Sequence, residues 1–319
     1  MSGFEGAADA TTERYVHLES TLVPDDATTH AARREELVGA LLVVASAVAF
    51  GLIPWWLIVA KRHGATPMGV LTARFVIASA VLLVMRRARM PRASWPRGSL
   101  LFGLIALGSV AFFLQASLYL VSVTIIPSSL ATVLFYTAPV LVVIFGFLFF
   151  HQRPNRLTIG CLVVAVVGTA FTAGEIESGS VKGALMAFGA AVVFAWYTLI
   201  SARLLPKTDT LTALTIVICG ASISYLIAWI VHPQHLPNDA IGWIAVFAIA
   251  TISTVFSMGA FFAGLRRVGP AEAAILSTAE PIVTIFVGVL VLDEHLSGVQ
   301  LAGALLVLAA VTVLARDTG

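Results

Sequence analysis

Long apolar stretches, separated by short polar and charged segments, make up the chain from residue 37 to residue 315. A membrane-spanning helix needs about 20 mainly apolar residues. The stretch 98–150 contains no Asp, Glu, Lys or Arg and is too long for one helix, so it is expected to break near 124–129, at Pro127 and two serines. The pattern predicts ten spans: 37–60, 67–85, two within 98–150, 157–174, 183–202, 210–231, 240–265, 271–292 and 296–315.

The composition agrees with this pattern. Hydrophobic residues make up 59% of the 319 residues, charged residues only 11%, and the mean hydropathy is +0.97. Soluble domains carry about a quarter charged residues, so lipid is the expected surroundings and the fold class is an all-α integral membrane protein. Residues 1–36 are acidic and lack a long apolar run, which predicts a disordered cytoplasmic tail and no secretory signal.

The basic residues of the loops predict the orientation. Positive residues favour the cytoplasmic side of a membrane. With a cytoplasmic N-terminus the outer loops hold only Lys61, Arg62 and Lys182. The inner segments hold Arg33, Arg34, Arg86, Arg87, Arg89, Arg92, Arg97, Arg153, Arg156, Arg203, Lys207, Arg266, Arg267 and Arg316. Both termini are therefore expected inside (N-in/C-in).

A weak internal repeat relates residues 129–152 to residues 271–294, at a spacing of about 142 residues. Identical residues include two prolines, Pro139 and Pro281, which lie inside predicted helices. The repeat divides the chain into 37–176 and 177–316, each with five predicted spans. Because five is odd, the second copy must be inverted, an arrangement found in many transporters.

The two prolines predict a pair of kinked helices near the membrane midplane, since proline removes a backbone hydrogen bond and bends a helix. Pro139 and Pro281 are therefore hinge candidates. The alternative is that prolines are simply common in membrane helices.

The sequence resembles the EamA-like transporters of the drug/metabolite transporter superfamily. The likeness is clearest in GLRRVGPAEAAILSTAEPIVTIFVGVLVLDEHLSGVQLAGALLVLAAV (264–311) and in LTARFVIASAVLL around Arg74. The resemblance implies a secondary transporter of the bacterial inner membrane that moves an amino acid or related metabolite, with export favoured over import. Two positions depart from the family pattern: Gln152 replaces a glutamate and Phe50 replaces a tryptophan.

Two charged residues stand out deep inside predicted spans, where each charge costs about 2.5–3.5 kcal/mol on insertion scales. Glu280 is about 15 Å from the cytoplasmic end of its helix and Arg74 about 10 Å from the outer end of its own. Neither has a charged counterpart in the other repeat. They are candidates for substrate binding or proton coupling, with a structural Arg74–Glu280 ion pair as the alternative.

Uncharged polar residues add to these candidates, several at helical spacing with aromatic residues. Together they predict a cavity lined by aromatic and hydroxyl groups, with interhelical hydrogen bonding as the alternative. The complete set of candidate site residues is Arg74, Gln115, Tyr119, Tyr136, Tyr197, Ser257, Ser277 and Glu280.

No catalytic or cofactor-binding motif accompanies these residues in the sequence. It lacks a phosphate-binding glycine loop, a Cys/His metal constellation and a nucleophile–base pair, and the loop residues His232 and His235 have no carboxylate cluster nearby. A membrane-embedded enzyme and a non-transporting scaffold or receptor remain alternatives. The expected partners are a small-molecule substrate, the lipid bilayer and protons. Nucleic acid is not expected, and the protein is expected to be a monomer or homodimer without a cofactor.

Overall fold

The computed structural model describes residues 26–122, 125–126, 131, 134–172, 180–284, 286 and 298–317, and every regular element in these ranges is helical. The first half contains α1 (Asp26–Gly51), α2 (Ile53–Arg62), α3 (Pro67–Arg89), α4 (Ser99–Ala106), α5 (Phe113–Ser122), α6 (Ala138–Phe150) and α7 (Arg156–Thr172). The second half contains α8 (Val181–Leu204), α9 (Thr210–Val231), α10 (Ala240–Ala250), α11 (Ser257–Val268), α12 (Pro270–Leu276) and α13 (Gly298–Asp317).

Within the described ranges, six helical stretches are long and apolar enough to cross a membrane: Arg33–Arg62, Pro67–Arg89, Ser99–Ser122, Val181–Lys207, Thr210–Val231 and Ala240–Val268. Three shorter apolar helices accompany them: Ala138–Phe150, Arg156–Phe171 and Leu301–Leu314. Large apolar side chains such as Phe102 and Ile230 are mostly exposed, at 74% and 69%. A surface of this kind suits lipid, so the chain is a multi-pass membrane protein.

The N-terminal helix extends further than the hydrophobic pattern predicted. It begins at Asp26, within the segment expected to be a disordered tail, and Arg267 donates a 2.9 Å hydrogen bond from Nε to Glu35 near its start. Residues 1–25 lie outside the described part of the chain. Most of the expected break at 124–129 and the expected boundary between the repeats at 176–177 also lie outside the described part.

Helix packing follows a two-repeat plan. Helix α1 packs against α11, and α2 packs against α10. In the same way, α8 packs against α5 and against the segment Leu107–Phe112 that precedes α5. Further contacts between the halves join α3 with α9, α6 with α12, and α7 with α13. When each helix is replaced by its counterpart in the other half, every contact in this set becomes another contact of the set. A pseudo-symmetric assembly of two repeats has this property.

Two π-helical segments lie at equivalent positions in the two halves, 144 residues apart: Leu107–Phe112 between α4 and α5, and Thr251–Phe256 between α10 and α11. Each packs against the partner half, the first against α9 and the second against α3. The first makes a close approach, because a Cβ added to Gly108 would lie 1.9 Å from the Val217 carbonyl oxygen. Isolated π-helical turns are rare and are often found at functional sites.

Candidate functional site

Besides the two π segments, the described membrane helices are interrupted near three prolines. Helix α1 ends at Gly51, just before Pro54. Tyr136 and Thr137 form a turn before Pro139, which lies in the first turn of α6. The segment Ser277–Ala279 is a 3₁₀-helix, after which residues 280–284 are helical again. Each interruption ends two positions before a proline, whose missing N–H and ring disfavour a regular helix at this point.

These interruptions meet around Glu280. The Tyr136 hydroxyl lies beside the partly buried Glu280 carboxylate. A Cβ added to Gly51 would lie 2.6 Å from the Val283 Cβ and 3.0 Å from the Glu280 carbonyl oxygen, so α1 approaches residues 280–284 more closely than any side chain would allow. Thr284 also donates a 3.5 Å hydrogen bond to the Gly51 carbonyl. Helix interruptions of this kind commonly form binding sites inside membranes.

Helix α5 brings further polar groups to this region. Tyr119 is an electrostatic neighbour of Tyr136, and its ring centroid is 5.1 Å from that of Phe135. Gln115, one turn earlier on α5, is partly buried. The structure therefore brings three of the candidate residues together: Tyr119, Tyr136 and Glu280.

A continuous series of aromatic rings leads from this cluster to Arg74. The successive centroid distances lie within the range of favourable ring contacts, about 4.5–7 Å. They are Tyr136–Phe135 5.6 Å, Phe135–Phe194 5.6 Å, Phe194–Tyr197 6.2 Å, Tyr197–Phe112 5.9 Å and Phe112–Phe75 5.4 Å. The Arg74 Cζ lies 4.5 Å from the centroid of the Phe75 ring. Arg74 and Glu280 thus lie at the two ends of one aromatic path.

Arg74 is buried, with 5% of its surface exposed, and its Nε atom has no hydrogen-bond partner. Its neighbours are the Phe75 ring and Tyr225. Ion pairs among the described residues are His63–Asp239 and Arg267–Glu35. The Arg74–Glu280 ion pair that the sequence left as an alternative is therefore not formed in this structure.

The two serine candidates make hydrogen bonds within and between helices. Ser257 is fully buried where α11 meets α1, with its Oγ 3.1 Å from the Ser46 Oγ and donating to the Ser46 carbonyl oxygen at 3.0 Å. Ser277 donates to the Ala273 carbonyl of its own helix at 2.8 Å. Ser257 thus makes the interhelical hydrogen bond that was the alternative to substrate contact, whereas the Ser277 bond is local to its own helix.

Tyr197 occupies the middle of the aromatic path. It is 3% exposed, and its hydroxyl lies beside Ser201 without a hydrogen bond of good geometry. Its ring is in contact with Phe112, Phe194 and Phe262.

Several residues of this region were not singled out from the sequence. Phe75, Phe135, Ser117 and Tyr225 connect or surround the candidates. The signal for Tyr225 and Ser117 was a polar group in an otherwise apolar span, but only the packing of α3, α5 and α9 shows that both lie near Arg74. No group of three or more His, Cys, Asp or Glu residues with metal-binding geometry occurs in the described ranges.

Comparison with known proteins identifies the family. The model of the EamA-like transporter family matches residues 37–174 and 181–316. The uncharacterized transporter YcbK of Bacillus subtilis is 26% identical over 85% of this chain and 90% of its own length. The uncharacterized transporter sll1319 of Synechocystis sp. is also 26% identical, but the match covers only 63% of each protein.

A further relative and a solved structure agree with this assignment. The uncharacterized inner membrane transporter YicL of Salmonella typhimurium is 26% identical over 59% of this chain and 64% of its own. A crystal structure with 20% sequence identity superimposes with a TM-score of 0.72 over 88% of this chain and 98% of the other, which establishes the shared fold. The two matched repeats together span most of the sequence, and the chain therefore belongs to the EamA-like transporter family of the drug/metabolite transporter superfamily.

Proposed function

We propose that the protein is a secondary transporter that carries an amino acid or related small metabolite out of the cell by alternating access. The observation that carries the proposal is the meeting of three helix interruptions around Glu280, with the Tyr136 hydroxyl beside its carboxylate. A carboxylate inside a membrane protein is retained where it binds substrate or protons. The backbone at a helix interruption can contact the substrate in both the inward-open and the outward-open conformation of a transporter.

The proposed architecture has ten membrane helices in two inverted five-helix repeats, with both termini in the cytoplasm. The symmetric packing of the two halves supports exchange between mirrored conformations, one open to each side. In this mechanism Pro139 and Pro281 are hinges, since each follows a helix interruption. The bacterial inner membrane is the proposed location, because the relatives named above come from bacteria. The protein acts as a monomer or homodimer.

The proposed cargo has separated charges and an apolar part. Arg74 binds an anionic group through its planar guanidinium, which suits a carboxylate. Glu280 binds a cationic group or carries a proton that couples transport to the proton gradient. The side chains of Gln115, Tyr119, Tyr136 and Tyr197 line the space between them. Ser257 and Ser277, which make helix contacts here, join the site when the helices rearrange.

A ligand screen of the purified protein tests the site. Amino acids, aromatic metabolites, cationic drugs and nucleosides are compared by the rise in unfolding temperature that each produces, since a ligand stabilises only the form it binds. The expected result is a compound that stabilises the wild type and not Glu280→Gln. Glu36→Gln, which removes an exposed carboxylate, is the matched control and retains the effect. Equal stabilisation of all three proteins would overturn the role of Glu280.

Proton coupling has a separate test. Once a cargo is known, its transport is measured with and without an imposed proton gradient. The proposal expects a rate that depends on the gradient in the wild type and not in Glu280→Gln. A wild-type rate that is insensitive to the gradient would eliminate the coupling role.

A further inference from the structure

Three buried polar side chains on three different helices lack hydrogen-bond partners. They are Arg74 Nε on α3, Ser117 Oγ on α5 and the Tyr225 hydroxyl on α9. Arg74 is 5% exposed and Tyr225 is completely buried. Buried polar groups in native proteins are nearly always hydrogen-bonded, and an exception points to an ion, a water molecule or a ligand.

These three groups are neighbours. The Arg74 charge interacts with the Tyr225 hydroxyl, and the Ser117 hydroxyl lies beside the same hydroxyl without good hydrogen-bond geometry. Their positions along the helices agree with this: Pro67, Ser122 and Val231 end α3, α5 and α9 on the same side. At the rise of a helix each group lies about 8–10 Å from that end.

The aromatic surroundings fix this arrangement. The Tyr225 ring is stacked on Phe75, with centroids 5.0 Å apart and planes 4° from parallel, and Phe113 packs against its edge at 4.9 Å. The phenol therefore has little freedom to turn its hydroxyl toward another partner. The guanidinium lies against the face of the same Phe75 ring, which attracts the cation but accepts no hydrogen bond from Nε in this structure.

The chemistry of the three groups selects an anion. A guanidinium has only donors, and the two hydroxyls can each donate a proton. The ion pairs of the described residues do not include Arg74, so its positive charge is uncompensated there. We propose that Arg74, Ser117 and Tyr225 form a buried anion subsite, in which the guanidinium pairs with a carboxylate and the two hydroxyls donate to its oxygens.

The identification of this anion with the cargo carboxylate rests on the proposed function, whereas the subsite itself does not. A free inorganic anion such as chloride requires the same buried hydrogen-bond donors and is the alternative occupant of the subsite.

Thermal unfolding of the full-length protein in detergent tests the subsite. Sodium chloride and sodium acetate are titrated against the sodium salt of a bulky sulfonate buffer. Amino acids are compared with the amines that lack only their carboxylate. The proposal expects concentration-dependent stabilisation by chloride, acetate or amino acids, and none by the matched amines.

Isosteric variants locate the effect. Tyr225→Phe and Ser117→Ala each remove one hydroxyl and are expected to raise the half-maximal ligand concentration at least tenfold. Thr198→Val removes another buried, unpartnered hydroxyl, on α8 outside the three helices that carry the subsite, and is expected to leave this concentration unchanged. Unchanged concentrations in the first two variants, or no stabilisation by any anion, would overturn the subsite.

The same measurements separate the two proposals. Stabilisation by amino acids that requires Tyr225 and Ser117 assigns the subsite to the cargo carboxylate. Stabilisation by chloride alone supports the subsite and overturns that assignment. Amino-acid stabilisation that is lost in Glu280→Gln but retained in Tyr225→Phe overturns the subsite and leaves the proposed transport function in place.

Discussion

At the scale of single residues, the contact between the Tyr136 hydroxyl and the Glu280 carboxylate joins the two proline-containing helices. Tyr136 lies in the turn before Pro139, and Glu280 directly precedes Pro281. The sequence identified Glu280 because a charge is conspicuous in an apolar span. It could not identify the partner, because Tyr136 and Glu280 are far apart in the chain and only the folded helices bring them together.

Loss of the Tyr136 hydroxyl is expected to destabilise the protein. Tyr136→Phe keeps the ring and removes the donor, leaving the Glu280 carboxylate with one partner fewer, which typically costs about 1–3 kcal/mol. The unfolding temperature in detergent should fall by several degrees. Tyr197→Phe makes the same chemical change at a hydroxyl without a good hydrogen bond and should have little effect. Equal effects of the two substitutions would contradict the role given to the Tyr136 hydroxyl.

A second residue-scale prediction concerns Asp239, which caps α10. It accepts a 3.0 Å hydrogen bond from the Gly242 amide and pairs with His63. The amide, and then His63, lowers the pKa of Asp239 below its usual value. A lowered folded-state pKa gives stability that is present above the unfolded pKa, about 4, and is lost as the pH falls through the folded value.

The measurement compares unfolding temperatures of wild type and Asp239→Asn between pH 6 and pH 3. Asparagine retains a cap acceptor but has no charge to titrate. The difference between the two proteins should therefore shrink as the pH falls below about 4. A difference that is independent of pH would mean that the Asp239 charge contributes nothing to stability.

At the scale of helices, the interruptions differ in how far the sequence predicts them. Those near Pro139 and Pro281 follow from the missing proline N–H and were expected. The π segments Leu107–Phe112 and Thr251–Phe256 contain no proline, and no local sequence pattern predicts them. Their geometry depends on packing against the other half, so it belongs to tertiary structure and escapes a local analysis.

Gly108 tests the importance of the first π segment. In Gly108→Ala the new Cβ would meet the Val217 carbonyl oxygen at 1.9 Å, so the π segment and α9 must separate. Overpacking of this kind costs about 1–3 kcal/mol and should lower the unfolding temperature. Gly160→Ala is the control, because its Cβ meets nothing within 4 Å and alanine favours the helix. A Gly108→Ala protein as stable as the control would contradict the close approach.

At the scale of the whole molecule, the two-repeat plan was predictable from the sequence. The two halves have prolines at matching positions and apolar spans at regular spacing. The packing that relates the halves was not predictable, because the repeat says which helices are equivalent but not which ones touch. The structure supplies these pairs, and they explain how Arg74 in one half and Glu280 in the other belong to one aromatic path.

The proposed orientation makes a labelling prediction. After Cys161→Ala and Cys219→Ala, single cysteines are introduced as His232→Cys and Lys207→Cys, both at exposed positions. A membrane-impermeant maleimide added to intact spheroplasts should label the first and not the second until the membrane is opened. The reverse pattern would place the termini outside.

Transport itself tests the central claim most directly. Proteoliposomes are loaded with a mixture of amino acids and their decarboxylated amines, and the compounds released over time are identified by mass spectrometry. The account predicts that wild-type protein releases one or a few compounds carrying both a carboxylate and an ammonium group, faster than protein-free liposomes and faster than Glu280→Gln. Release that matches protein-free liposomes for every compound, from protein shown to be folded, would contradict it.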